Sequence, residues 1–157
     1  MLSLQISDSL PSNDPDLQDL QHLSQVVALA LLRAGADPEQ TDLALVLSDD
    51  AQLHELNLQY LGIDAPTDVL SFPSDEIDPD SGMRYLGDIL VSLPRARAQA
   101  QAGGHPLSDE LRLLAVHGVL HLLGHDHADE VDKAAMWALQ AEILRESGSS
   151  LIAPVGE

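Results

Sequence analysis

Three histidines in the second half of the chain, His117, His121 and His127, have the spacing HxxxHxxGxxH, which suits a metal ion. Residues four apart lie one turn from each other on the same face of a helix, so His117 and His121 can reach one ion. Gly124 lacks a Cβ and can take the left-handed conformation that ends a helix, and the reversed chain can return His127 as a third ligand. The spacing therefore predicts a metal site on a helix and the turn after it.

Zinc is the metal that this set of ligands favours. Three neutral imidazoles suit zinc, and the chain has no cysteine to offer as an alternative ligand. A zinc ion held by three side chains keeps its fourth position open for water or substrate, which is the catalytic arrangement. We therefore expect one zinc ion and metal-assisted hydrolysis. In the metzincin proteases a glutamate base follows the first histidine, whereas this chain has Gly118 there, so a metallopeptidase or amidohydrolase is the least favoured interpretation.

The residues beside the motif have open roles. A single histidine on an apolar helix face is more often a core residue than a ligand, but four of the seven histidines lie within residues 117–127. His125 directly follows the turn glycine, and we expect it to face solvent or substrate rather than the ion. Asp126 either accepts a hydrogen bond that orients a ligand imidazole or is an ordinary turn residue.

Composition limits the classes of partner. The formal charge of −19, from 26 acidic and 7 basic residues, disfavours non-specific binding of a polyanion. Four of the arginines, Arg84 among them, lie in residues 84–112 with only three acidic residues, so the approach to the histidine helix is locally less acidic. The absence of cysteine, of a signal-peptide pattern and of a long apolar run predicts a cytoplasmic protein without a membrane segment.

Hydrophobic periodicity predicts one α+β domain over residues 1–147 and a loose tail over residues 148–157. We expect a small mixed β-sheet packed against several helices, because two consecutive strands are followed by three consecutive helices. The predicted strands are 2–7, 41–48, 67–72 and 85–92, and the acidic segment 73–82 is expected to be mobile. The predicted helices are 17–35, 48–61 (capped by Ser48, ended by Gly62), 92–104 (opened by Ser92 and Pro94), one that Ser108 caps and that holds the histidines, and 128–147.

Three sequence blocks resemble those of the YbeY family of bacterial endoribonucleases and ribosomal RNA maturation factors. The segment His117–His127 is similar to the family signature HGxLHLxGxDH. Residues 57–60 with 66–73, read as NLQY and PTDVLSFP, resemble a second block, and residues 86–92, LGDILVS, resemble a third. The resemblance extends from about residue 43 to residue 137, and the order and spacing of the blocks make it highly specific.

The resemblance implies a zinc-dependent endoribonuclease that cuts single-stranded RNA in maturation of the 3′ end of small-subunit ribosomal RNA and in ribosome quality control. It implies ribosomal RNA and ribosomal particles as partners, with ribosomal proteins or an assembly GTPase as further candidates. By motif position, His117, His121 and His127 match the three zinc ligands. The chain departs from the family at Leu61, where an arginine usually follows the tyrosine of the second block.

An arginine at that position is the natural group to bind a phosphate, so its absence leaves the catalytic residues open. Arg84 is a candidate substitute for substrate binding. Asp88 and Asp68 lie in the resembling blocks and are candidates to accept a proton, although aspartates in such places are often turn or strand-end residues. The alternative function is non-catalytic: a ribosome assembly or docking factor in which zinc only holds the last helices together.

Overall fold

The computed structural model describes residues 2–11, 13–17, 20–125 and 129–151. Within these ranges the chain forms four strands and five helices. In chain order they are β1 (Leu2–Ile6), α1 (Gln21–Arg33), β2 (Thr41–Ser48), α2 (Asp50–Leu61), β3 (Val69–Ile77), β4 (Arg84–Ser92), α3 (Leu93–Gly103), α4 (Leu107–Leu122) and α5 (Glu130–Glu146). Short 3-10 turns precede α1 and β2 at Pro15–Leu17 and Pro38–Gln40.

The strands form one mixed sheet in the order β1-β2-β4-β3. β2 pairs in parallel with β1 and β4, and β3 pairs antiparallel with β4, so the consecutive strands β3 and β4 are neighbours as predicted. The predicted α+β class with a small mixed sheet is confirmed. β3 lies at one edge of the sheet, and α4, which holds the histidines, packs beside it.

Each face of the sheet is covered by different helices. The alternating residues Leu43, Leu45 and Leu47 of β2 face the main core, which is formed with α1, α4 and α5. On the opposite face, α2 packs Leu53 against Leu70 and other apolar residues of the sheet. Side chains of successive strand residues point to opposite faces, so away from the irregularities in the register a strand residue can be assigned to the α4 face or the α2 face. None of the described helices is both long and apolar enough to cross a membrane.

The helix ends follow local hydrogen bonding, which corrects two predicted caps. Ser92 caps α3 as predicted, since its side chain accepts from the backbone N–H of Arg95. Asp49, rather than Ser48, caps α2, because Ser48 is the last residue of β2 and the Asp49 carboxylate accepts from the N–H of Gln52. Likewise Ser108 lies inside the first turn of α4, which begins after Pro106.

The acidic segment between β3 and β4 is ordered by pairing. β3 continues to Ile77, beyond the predicted strand end at Phe72, because residues 73–77 pair with the start of β4 across an irregularity in the register. A turn then closes the hairpin, with the N–H of Asp78 donating to the carbonyl of Met83 at 2.9 Å. The prediction of a mobile segment over residues 73–82 is therefore wrong.

The first and last predicted helices are shorter than their apolar patterns. α1 starts at Gln21, and Leu17 belongs to the preceding 3-10 turn. α5 starts at Glu130 because the Asp129 carboxylate caps it, and it buries Met136, Gln140, Ile143 and Leu144. After α5, the hydroxyl of Ser150 donates to the Asp109 carboxylate, while residues 152–157 lie outside the described part of the chain.

Candidate functional site

Two histidine side chains on α4 point at each other across one helical turn. The Nε2 atoms of His117 and His121 lie 3.1 Å apart, and the ring centroids are separated by 4.6 Å. Two imidazole nitrogens on one tetrahedral zinc, each about 2.0–2.1 Å from it, are roughly 3.3 Å apart. The pair therefore already has the separation that a shared ion needs.

The turn after α4 is the one that the sequence predicts. Gly124 has a φ of +94°, and the backbone N–H of His125 donates to the carbonyl of Leu120 at 2.9 Å, so the chain reverses at this glycine. His125 itself is half-buried. The predicted third ligand His127 and its neighbour Asp126 lie outside the described residues. In the part that is described, no three His, Asp or Glu side chains are grouped to hold a metal.

A glutamine that the sequence analysis missed orients the first histidine. His117 Nδ1 lies 3.1 Å from Gln140 Oε1, and Gln140 is completely buried on α5. An amide oxygen only accepts, so Nδ1 carries the proton and the lone pair of Nε2 is left for a metal. The ring of Trp137 lies against the same imidazole, with centroids 5.5 Å apart. This hydrogen bond and the facing nitrogens show that the residues present fit a zinc ion.

The position that would hold a metzincin glutamate is closed by packing. A Cβ added to Gly118 would lie 2.7 Å from Cγ2 of Ile89, a fully buried side chain on β4. Gly118 therefore brings α4 directly onto the sheet, and a larger side chain there would have to displace Ile89. The hydroxyl of Ser71 reaches the Gly118 carbonyl at 3.5 Å and connects the helix to the edge strand. A general base, if one acts here, comes from another element.

The two histidines open into a cleft of about 390 Å³ beside the edge strand β3. Its apolar wall includes Leu61, which is 60% exposed at the end of α2. Its polar groups include the hydroxyls of Thr67 and Ser71 and the carboxylate of Asp68. The complete lining among the described residues is Leu61, Thr67, Asp68, Val69, Leu70, Ser71, Pro73, His117 and His121.

Of the two candidate aspartates, only Asp68 lies in the cleft. Its Oδ2 lies 3.4 Å from the side-chain N–H donor of Gln99, which holds the carboxylate from α3. Asp88 pairs with Phe72 in the sheet and, by strand alternation, points to the α2 face, since its neighbour Ile89 faces α4. The sheet therefore lies between Asp88 and the histidines, and the hydroxyl of Tyr85 donates to its carboxylate.

Arg84 lies away from the cleft. It pairs with Ile77 at the far end of β3, four residues past Pro73, which corresponds to roughly 13 Å along a strand. Its guanidinium also contacts the Asp75 carboxylate at 2.8 Å. The structure therefore does not bring Arg84 near Leu61 in the cleft, so Arg84 is not the substitute for substrate binding that the sequence suggested.

Three ionisable groups outside the cleft lining have displaced pKa values. Burial raises the pKa of Glu110, a carboxyl on the first turn of α4, against the opposing effect of its hydrogen bond with His105. The hydrogen bond from Arg95 lowers the pKa of Asp50. Burial, together with the contact to the Asp88 carboxylate, raises the pKa of Tyr85 to about 12. None of these three groups is among the described residues that line the cleft.

The hydrogen bond from His117 to Gln140 leads to a testable expectation. Replacing Gln140 with Leu removes the acceptor for Nδ1–H, and we expect zinc affinity to fall by about 10–100-fold, the usual cost of losing such an outer partner. Gln140→Glu keeps an acceptor and should retain binding. Chelator competition measures the affinity, and fluorescence of Trp137, the single tryptophan, follows the adjacent imidazole. Gln101→Leu, on the exposed side of α3, is the matched control, and equal affinities in all variants would contradict the assignment.

The sequence position of Gln140 could have been used to predict that it has a polar partner. It lies on the buried side of α5 with Met136, Ile143 and Leu144, where an amide needs a partner. Its own Nε2 is buried and has no hydrogen-bond partner within the described ranges. A lone amide on an apolar helix face therefore indicates a polar partner on the facing element, here His117.

Comparisons with known proteins agree with this architecture and with the sequence blocks. The family model described as "Endoribonuclease YbeY" matches residues 6–148. A protein named endoribonuclease YbeY from Desulfitobacterium hafniense is 46% identical over 148 residues, covering 90% of this chain and 92% of its own. One from Pelotomaculum thermopropionicum is 47% identical over 120 residues, covering 74% and 79%.

A solved structure extends the likeness to the fold. The solution structure of TM1509 from Thermotoga maritima matches with a TM-score of 0.57 and 23% identity, covering 100% of this chain and 99% of that one. At this identity the likeness concerns the fold alone. The family model covers nearly all the described residues, including the histidine helix and the edge strand. The chain therefore belongs to the endoribonuclease YbeY family.

Proposed function

We propose that this protein is a zinc-dependent endoribonuclease that cuts single-stranded RNA during maturation of small-subunit ribosomal RNA and in ribosome quality control. The observation that supports this most is the pair of facing imidazoles in a cleft beside the edge strand, in a chain of an endoribonuclease family. The cleft has the size of a pocket for one small ligand. It suits one extruded nucleotide of a flexible strand better than a duplex, whose bases remain stacked.

His117, His121 and His127 would hold the zinc ion, the last of them lying outside the described residues. When bound, zinc polarises a phosphoryl oxygen and lowers the pKa of its bound water. Gln140 keeps the proton of His117 on Nδ1, away from the ligating nitrogen. Trp137 packs against the imidazole and limits its rotation.

Side chains of the edge-strand region have separate roles toward the RNA. Asp68 is the one carboxylate among the described residues of the cleft lining, so it is our candidate to accept a proton from the attacking oxygen. Gln99 fixes its orientation from α3. The hydroxyls of Thr67 and Ser71 can donate to phosphate or sugar oxygens in the same cleft.

A second candidate function is a non-catalytic ribosome assembly or docking factor. It is favoured by the net charge of −19 and by the lack of Lys or Arg among the described residues that line the cleft. Both observations weaken the electrostatic attraction to phosphate on which most nuclease binding depends. Only the endoribonuclease function predicts that the protein cleaves RNA.

The deciding experiment incubates the purified protein with a single-stranded RNA that carries the 3′ end of small-subunit ribosomal RNA. We expect cuts that appear with zinc, disappear with a chelator and return when zinc is restored. A duplex of the same sequence should be cut much less. Binding to ribosomal particles without any metal-dependent cleavage would establish the docking function instead.

A further inference from the structure

Most of the cations in this chain are already neutralised by carboxylates. At least five of its seven basic residues form ion pairs with carboxylates of the described residues. The pairs are Arg33 with Glu146, Arg84 with Asp75, Arg95 with Asp50, Arg97 with Asp14 and Asp16, and Arg112 with Asp109. The described lining of the cleft contains neither Lys nor Arg. Phosphate contacts therefore provide little of the free energy with which this chain would bind RNA.

Exposed apolar side chains, by contrast, concentrate at the end of α2, which contributes Leu61 to the cleft. Large hydrophobic side chains that are exposed number eight among the described residues, and four of these lie at the end of α2 and just after it. The four are Leu58, Tyr60, Leu61 and Ile63. Single exposed hydrophobic residues are normal on a protein surface, whereas a group of them marks a binding surface.

Tyr60 has the geometry of a stacking surface. Its side chain is 61% exposed, and its ring meets the ring of Phe72 edge to face, with centroids 5.2 Å apart and planes at 68°. Phe72 on β3 thus restrains the tyrosine while most of it stays open to solvent. The next residue, Leu61, lines the cleft. Phe72 packs with Leu53 on the α2 face of the edge strand β3, whereas the histidines lie on the α4 face. The aromatic pair therefore lies on the α2 side of the edge strand, next to the part of the cleft wall that Leu61 forms.

We propose that Tyr60, braced by Phe72, and Leu61 form a stacking site for an unpaired nucleobase at the mouth of the cleft. This inference rests on the proposed function, because it assigns the way in which the RNA is held. Every base has an aromatic face, so stacking on a restrained ring binds single strands with little sequence preference and needs no cation. The chain thus holds RNA by its bases beside a cleft whose described lining has neither Lys nor Arg.

The test measures fluorescence anisotropy of a labelled single-stranded RNA, with chelator present to prevent cleavage. Tyr60→Ala should weaken binding on the order of tenfold, whereas Tyr60→Phe keeps the ring and should bind like the wild type. Tyr60→Leu separates stacking from general apolar contact, because it retains apolar surface without an aromatic face, and it should bind as weakly as Tyr60→Ala. Leu32→Ala, an aliphatic side chain of similar exposure on α1, is the control. Thermal denaturation verifies that each variant is folded.

Two further measurements complete the test. An RNA of the same length with abasic sugars keeps the phosphates but has no bases, and the wild type should bind it no better than Tyr60→Ala binds intact RNA. The logarithm of affinity should fall with the logarithm of salt concentration with a slope smaller than about 0.7, the value of one phosphate contact on a single strand. Equal binding of abasic and intact RNA, or a Tyr60→Leu variant with wild-type affinity, would overturn the proposal.

The proposed function is checked separately with the same RNA and zinc. If the wild type cuts this RNA but Tyr60→Ala binds it unchanged, the stacking site is wrong and the nuclease function stands. If the wild type neither binds nor cuts, both are wrong. If the patch instead docks a protein, Tyr60→Ala leaves RNA affinity unchanged, which also overturns the stacking site.

Discussion

Replacement of both His117 and His121 with Ala is expected to abolish zinc binding and, with it, cleavage of RNA. The two Nε2 atoms lie 3.1 Å apart and are the proposed ligating atoms in the described part of the site, so their removal leaves His127 as the remaining proposed ligand. Zinc affinity should fall by more than the roughly 10–100-fold that is typical when a residue hydrogen-bonded to a metal ligand is removed. Metal analysis of the purified protein measures it, with about one zinc per wild-type chain as the expected starting value.

The control for this prediction is His125→Ala. His125 lies in the same turn, and its backbone N–H rather than its side chain closes the end of α4, so zinc content should be nearly unchanged. His54→Ala, which removes an exposed histidine that contacts Asp64, is a second control. Full zinc content in the His117 and His121 double variant would show that the ion binds elsewhere.

Leu61→Arg is expected to raise metal-dependent cleavage by about ten- to a hundredfold, approaching the effect of one well-placed charged donor on a transition state. Leu61 lines the cleft and is 60% exposed, so a guanidinium there can reach a bound phosphate without being buried. Stability should change by less than about 0.5 kcal/mol, as for most surface substitutions. Single-turnover cleavage and thermal denaturation measure the two effects.

The control for the gain is Leu61→Gln, which adds a hydrogen-bonding amide on a shorter side chain without a charge and should raise cleavage much less. The salt dependence provides an independent readout, since one new phosphate contact steepens the slope on a single strand by about 0.7. A folded Leu61→Arg variant with unchanged cleavage and unchanged slope would mean that this position does not contact phosphate. Cleavage by this chain would then depend on other groups.

Features that depend on local periodicity could be predicted from the sequence. The alternation of Leu43, Leu45 and Leu47 predicted β2 with its observed bounds, and the two histidines four apart predicted their common face on α4. Gly62 and Gly124 predicted where α2 and α4 end, since both residues have positive φ in the structure. In each case the local structure is determined by a few residues that are close in sequence.

Features that depend on contacts distant in sequence could not be predicted in the same way. The extension of β3 to Ile77 is produced by pairing with Arg84 and its neighbours, which overrides the turn-forming residues of the segment. The hydrogen bond between His117 and Gln140 joins side chains from two helices. The choice between Asp68 and Asp88 depended on which face of the sheet each one occupies, and a motif alone does not specify that.

The close packing of Gly118 against Ile89 fixes the position of α4 on the sheet. With no Cβ between helix and sheet, the ridge made by Ile89 sets both the rotation and the height of the helix, so the two imidazoles are positioned when the core packs. A metal ion bound by these histidines would find two of its ligands in place and would cause little rearrangement. Such a site would not select its metal through folding. The selection would depend on ligand chemistry and on the supply of divalent ions in the cell, with tighter binders such as copper the natural competitors of zinc.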